Sequence, residues 1–141
     1  MTTVATLMAL DMGEKRTGVA IAHTDVAIPR PYTSLAGSPE LPRQVAQLAK
    51  DEGVVAMVIG LPRNLDGEKT DQTRWVEVQA AKIKRAVDIP VYFVDEALTS
   101  KKAEDELKGR GREYSKNEVD MLAATYILED FIAEHPELAR G

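Results

Sequence analysis

The sequence predicts an α/β fold on a mixed sheet, three antiparallel strands followed by parallel β-α units, in the order β-β-β-α-β-α-β-α-α. Three observations lead there. Apolar runs crowd the first thirty residues with connections of only a few residues between them, and a parallel crossover needs a dozen or more, so these neighbours must be antiparallel. After Gly37-Ser38-Pro39 the apolar spacing becomes helical. Beyond that point helical stretches alternate with continuous apolar runs, the mark of strands covered on both faces.

Taken in order, Thr6–Leu10 is the first strand and Gly18-Val19-Ala20-Ile21-Ala22 the second, joined through Gly13-Glu14-Lys15-Arg16. A third apolar stretch around Val26-Ala27-Ile28 follows the turn-like Thr24-Asp25. Leu41, Val45, Leu48 and Ala49 then share one helical face up to Gly53. Val54–Ile59 is an uninterrupted apolar strand ending at Gly60. A loop through Pro62 and Gly67 leads to a helix with Val76, Ala80, Ile83 and Val87 on one face, stopped by Asp88-Ile89-Pro90. Val91–Val94 is the last strand, and Trp75 and Tyr92 belong to the core or a helix–sheet seam. Thr99 or Ser100 caps a short helix ending near Gly109. Gly109-Arg110-Gly111-Arg112 reads as a flexible basic loop, and the final helix runs from about Ser115 or Lys116 to about Glu134.

At 141 residues the chain is expected to form one domain over 1–141, long enough for a real core and too short for two. The absence of cysteine removes disulfides, thiolate metal sites and thiol catalysis. His23 and His135 lack the spacing of a ligand pair. No signal peptide precedes the first strand, and no segment approaches the ~18–20 apolar residues of a membrane span. A cytoplasmic protein without membrane contact is the expectation. A net charge of −5 argues mildly against a broad nucleic-acid surface but leaves room for a local basic groove.

Three acidic residues stand where a globular chain avoids them. Asp11 closes Leu7–Leu10, Glu96 beside Asp95 closes Val91–Val94, and Asp120 shares a helix face with Ala124, Ile127 and Phe131. An unpaired buried carboxylate costs several kcal/mol, so three need a cation or strong hydrogen bonds. Carboxylates converging from separate elements suit Mg²⁺ or Mn²⁺ and phosphoryl-transfer chemistry. Each also has a plain reading: Asp11 as a turn residue, Glu96 at a helix entry and Asp120 as a first-turn carboxylate. Candidate phosphate contacts are Lys15 and Arg16 in the first hairpin, Arg63 and Asn64 after the buried strand, and Lys101, Arg110 and Arg112 further on. Solvated turn, connector and helix-surface roles compete for all of them.

Four segments occur in order: Ala9-Leu10-Asp11-Met12-Gly13-Glu14-Lys15-Arg16-Thr17-Gly18-Val19-Ala20, Val58–Gly67, Val94-Asp95-Glu96-Ala97-Leu98-Thr99-Ser100, and Glu118-Val119-Asp120-Met121-Leu122-Ala123-Ala124. Together they resemble the YqgF/RuvX family of ribonuclease-H-like nucleases, described as Holliday-junction-resolvase-like and as candidate pre-16S ribosomal RNA nucleases. The resemblance covers nearly the whole chain. It implies a ribonuclease-H-like fold with Asp11, Glu96 and Asp120 as the acidic triad. The chain departs from the family where the third segment usually reads Asp-Glu-Arg-Leu, since Ala97 stands in the arginine position; Lys101 or Lys102 is near enough in sequence to take over a phosphate contact.

The expected function is therefore a metal-dependent endonuclease on structured nucleic acid, either precursor 16S rRNA or a branched DNA junction. Asp11, Glu96 and Asp120 would hold two Mg²⁺ or Mn²⁺ ions for phosphodiester hydrolysis. Cutting a junction symmetrically would require a homodimer. Two other classes stay open: a non-catalytic nucleic-acid- or ribosome-binding module of the same fold, and an actin-like nucleotide-binding domain, suggested by Asp-x-Gly before a second strand.

Overall fold

A computed structural model of the chain describes residues 5–63, 66–96 and 99–139. Its strands are β1 (Thr6–Met12), β2 (Arg16–His23), β3 (Arg30–Ala36), β4 (Val54–Pro62) and β5 (Val91–Glu96). They lie side by side in the order β3-β2-β1-β4-β5. The β1–β2 and β2–β3 pairs are antiparallel, whereas β1–β4 and β4–β5 are parallel. The helices are α1 (Leu41–Asp51), α2 (Asp71–Ala86), α3 (Thr99–Gly109) and α4 (Lys116–Glu134), followed by a 3-10 turn at Pro136–Ala139.

Alternation along the strands sorts the core into two layers. Met8, Leu10, Val19, Ile21, Met57 and Ile59 point to the side covered by Leu41 and Val45 of α1 and by Val76, Ala80 and Ile83 of α2. Trp75 packs against this layer, at the helix–sheet seam. On the other side Leu7, Ala9, Ala20, Ala22, Ala56 and Val58 meet Ala124, Ile127, Leu128 and Phe131 of α4. Tyr92 joins that second layer, its ring centroid 5.1 Å from that of Phe131. Each fully buried Leu, Ile or Phe contributes roughly 1.5–3 kcal/mol.

The two sheet faces differ in side-chain size, and the difference places α4. The α4 face carries Ala9, Gly18, Ala20, Ala22, Ala56 and Gly60. A Cβ on Gly18 would overlap the Asp120 carbonyl, and one on Gly60 would run into the Ile127 side chain. Glycine at these positions lets the helix backbone sit almost on the sheet. The opposite side of α4, with Val119, Leu122, Ala123 and Tyr126, is covered by Ala103 and Leu107 of α3. This double burial explains a helix that is apolar nearly all round. Ser115 caps α4 by accepting from the Glu118 N–H, and the Glu118 carboxylate reaches back to the Ser115 N–H.

One predicted element moves. Val26-Ala27-Ile28 is not strand, and Val26 and Ile28 are 61% and 67% exposed. The Val26 and Ala27 N–H groups both donate to the His23 carbonyl, and Ala27 adopts φ 60°. That turn ends β2, and pairing resumes only at Arg30, opposite Ile21. β3 is an edge strand, which is why it tolerates Pro31.

Gly18→Ala is expected to destabilise the protein by about 1–3 kcal/mol, the usual cost of overpacking. Gly109→Ala, where an added Cβ meets nothing within 4 Å, should leave stability unchanged or slightly raised. Urea unfolding of both variants checks the pair.

Candidate active site

The site grows out of one cross-strand pair. Asp11 on β1 lies opposite Gly18 on β2, and both belong to the sheet face covered by α4. Opposed residues on one face have Cβ atoms about 4.5–5.5 Å apart. Because Gly18 has no side chain, the backbone of α4 at Asp120 occupies that place. Two carboxylates from segments more than a hundred residues apart are thereby brought to one cleft of about 460 Å³. Lys15 and Arg16 from the hairpin, with Asp71 and Gln72 from the first turn of α2, line the same cleft.

The electrostatics follow from this crowding. Asp11 is packed round on most sides, and burial, reinforced by the Asp120 charge, pushes its pKa from 3.8 up to about 7. Asp120 is compensated instead: Arg16 Nε donates to Asp120 Oδ2 at 2.7 Å, with the two side chains 31% and 16% exposed. Arg16, expected as a phosphate contact, is thus seated on an acid. Lys15 is exposed at the mouth of the cleft.

Glu96 is placed differently from Asp11 and Asp120. It ends β5 on the α4 face, but β4 lies between β5 and β1, so roughly 10 Å of sheet separates the strand ends. Burial pushes its pKa up to about 8, Asp130 adds to the effect, and Lys102 opposes it. Glu96 Oε1 is buried without a hydrogen-bond partner. Asp130 is ten residues beyond Asp120 on α4, roughly 15 Å along the helix. The structure therefore joins Asp11 to Asp120 and sets Glu96 against the far half of the same helix. Among the described residues no three acidic or histidine side chains are grouped to hold a metal ion.

The remaining basic candidates lie outside the cleft. Arg63 Nε is 3.3 Å from Asp95 Oδ1, an ion pair without hydrogen-bond geometry. Lys101 is exposed in the first turn of α3. Arg110 pairs with Glu106 at 3.3 Å and Arg112 with Glu118 at 2.7 Å, so the basic loop is largely neutralised by its own helices. Asn64 and Ala97 fall outside the described residues. Sequence reasoning missed Asp71, Gln72 and Asp130. The first two had a signal: Thr70 and Thr73 form the capping box of α2, which fixes that helix start beside the strand ends.

Comparison with known proteins gives the following. The family model described as "RuvX: Holliday junction resolvase" matches residues 5–134. A Maridesulfovibrio salexigens protein described as "Putative pre-16S rRNA nuclease" is 40% identical over 132 residues, covering 90% of this chain and 97% of its own length. A Chloroflexus aurantiacus protein of the same description is 36% identical over 130 residues, covering 89% and 85%. Among solved structures, T. thermophilus RuvC in complex with a Holliday junction substrate superposes with TM-score 0.58 at 16% identity, covering 92% of this chain and 95% of that one. The Fowlpox virus resolvase in complex with Holliday junction DNA gives TM-score 0.54 at 14% identity, covering 92% and 97%. Those two likenesses are of fold alone.

A carboxyl with a folded pKa raised above its unfolded value binds protons more tightly when folded, so its contribution to stability is lost as pH rises. In a metal chelator, wild-type stability should fall between pH 5 and pH 8, because Asp11 at about 7 and Glu96 at about 8 both act in that window. Asp11→Asn should retain only the Glu96 part of the slope, read from urea midpoints at the two pH values.

Proposed function

The chain belongs to the RuvX (YqgF) family, and we propose that it is a divalent-metal-dependent endonuclease hydrolysing phosphodiester bonds in structured nucleic acid. Precursor 16S rRNA is the first substrate proposed, after the description its relatives carry. A four-way DNA junction is the second, after the family description and the resolvases of like fold. The observation that carries the proposal is the forced meeting of Asp11 and Asp120 in one cleft. Arg16 compensates only Asp120, so the proximity of the two carboxylates still costs stability at neutral pH through Asp11 unless a further cation joins them.

The donor set fits Mg²⁺ or Mn²⁺. Both groups are hard oxygen ligands, and Asp11 has no cationic partner of its own among the described residues. Asp11 and Asp120 would hold the metal. Glu96 is the third ligand implied by the family, and to take part it must leave Asp130. A metal held by these residues would supply Lewis-acid activation of the attacking water and stabilisation of charge on the leaving oxygen.

The protein's own residues do the rest. Gly18 keeps Asp120 beside Asp11. Lys15 and Arg16 offset the repulsion between the acid pair and a phosphate backbone. Arg63, Asn64, Lys101, Arg110 and Arg112 are assigned to outer backbone contacts, for which Arg110 and Arg112 must exchange Glu106 and Glu118 for phosphate.

Asp11→Asn is expected to lower Mn²⁺-dependent cleavage by orders of magnitude. The melting temperature of wild type should rise on adding Mn²⁺ by linkage, and that of the variant should rise less. Product-end mapping on precursor rRNA, an RNA–DNA hybrid and a four-way junction assigns the substrate. Cleavage retained in Asp11→Asn, with equal metal stabilisation, would remove the metal-site reading. Binding without cleavage of any substrate would leave a non-catalytic module of the same fold.

A further inference from the structure

We propose that Arg16 is a built-in cation for the acid pair: it compensates Asp120 in the metal-free protein and is displaced from that carboxylate when a divalent ion binds. This deepens the functional reading above and rests on it, since it concerns the same cleft.

The geometry makes the case. Arg16 Nε lies 2.7 Å from Asp120 Oδ2, the length of a charge-assisted hydrogen bond. Of the ion pairs among the described residues it is the most enclosed, at 31% and 16% exposure. The others lie on open surface or within adjacent turns, such as Arg74 with Asp71 and Arg43 with Glu40. At this exposure the pair is screened by salt less than the open ones, which contribute little.

The hairpin fixes where Arg16 points. It lies two residues from Gly18 and therefore on the same face of β2, diagonally across from Asp11. No other cation of the cleft is so placed: Lys15 is exposed and forms no ion pair among the described residues. The guanidinium thus sits on Asp120, a carboxylate that a cation joining Asp120 to Asp11 would also have to use.

Two consequences follow. A dication on Asp120 and a guanidinium 2.7 Å from one of its oxygens repel each other, so the two compete for the carboxylate. Once displaced, Arg16 has its whole planar fork free for a phosphate oxygen. No other N–H of the guanidinium is hydrogen-bonded to a described residue, so among the described residues Asp120 is its one hydrogen-bond acceptor. Loading of the metal and release of a phosphate-binding arginine become one event.

The test is calorimetric titration of Mn²⁺ into the metal-stripped full chain: wild type, Arg16→Gln, Arg16→Lys, Lys15→Gln and Asp120→Asn. Arg16→Gln should bind Mn²⁺ about two- to fivefold more tightly, the gain expected from removing one partly exposed pair, while melting at a lower temperature without metal. Arg16→Lys keeps the charge and should stay within about twofold of wild type. Lys15→Gln removes an equal charge from the same cleft without touching Asp120, and should likewise stay within about twofold. In Ca²⁺, Arg16→Gln should bind RNA more weakly, with a salt slope shallower by about one phosphate contact. Mn²⁺ affinity unchanged or weakened in Arg16→Gln overturns the inference, as does an equal gain in Lys15→Gln. If Asp120→Asn binds Mn²⁺ as well as wild type, or wild type binds none, the metal-site reading itself fails and this inference goes with it.

Discussion

The close seating of α4 on the sheet is the constraint from which the rest of the molecule follows. A helix normally packs about 8–10 Å from its neighbours because side chains stand between them. Here the sheet offers Gly18, Gly60 and a row of alanines, and the helix answers with Ala124. Close approach at Gly18 carries Asp120 to Asp11. Close approach at Gly60 seats Ile127, and Phe131 beyond it meets Tyr92 on the outer strand. One helix therefore crosses the sheet from the hairpin to β5, closing the second core layer and delivering an acid to the strand ends.

The same crossing divides the acidic residues. Asp120 near the start of α4 joins Asp11, while Asp130 and Glu134 further along it face Glu96. Two strained carboxyl groups result, one at each end of the helix, and each is kept by burial in a form that holds its proton more tightly than water would. The second layer is made of apolar groups with no donors to spare, so neither carboxyl is hydrogen-bonded by the core. The cations outside it act unequally: Arg16 pairs with Asp120 rather than with Asp11, while Lys102 opposes the shift of Glu96.

Much of this was legible in the chain. Helices α1 and α2 fall where the apolar spacing puts them, and β4 falls where its uninterrupted apolar run puts it. Asp120 stood out on the residues alone, since it interrupts a face otherwise made of Ala124, Ile127 and Phe131. The third strand was misplaced because hydrophobicity was the only guide to it. Val26 and Ile28 are apolar but lie in an exposed turn, while Arg30–Ala36 carries Arg30, Pro31, Thr33 and Ser34 and pairs as an edge. Edge strands need little apolar content, so composition hides them. The ion pairs of Arg16, Arg110 and Arg112 were illegible for another reason. A basic residue in a sequence shows its charge but not its partner, and Asp120 is distant from Arg16 along the chain. Where Glu96 points was equally hidden, because strand alternation gives its face but not the number of strands between it and Asp11.

The span of the Arg16–Asp120 contact, 104 residues, also bears on the order of events in folding. Closing so long a loop is slow and entropically costly before other contacts reward it. The β1–β2 hairpin can form early from local pairing, presenting Asp11 and Arg16 on one edge with no opposing acid. The pair is completed only when α4 docks, after every other strand and helix of the sheet layers has been synthesised. A chain growing from its N-terminus thus carries half of the cleft through most of its synthesis. The acid pair forms as a late, global step, so its assembly reports on completion of the fold.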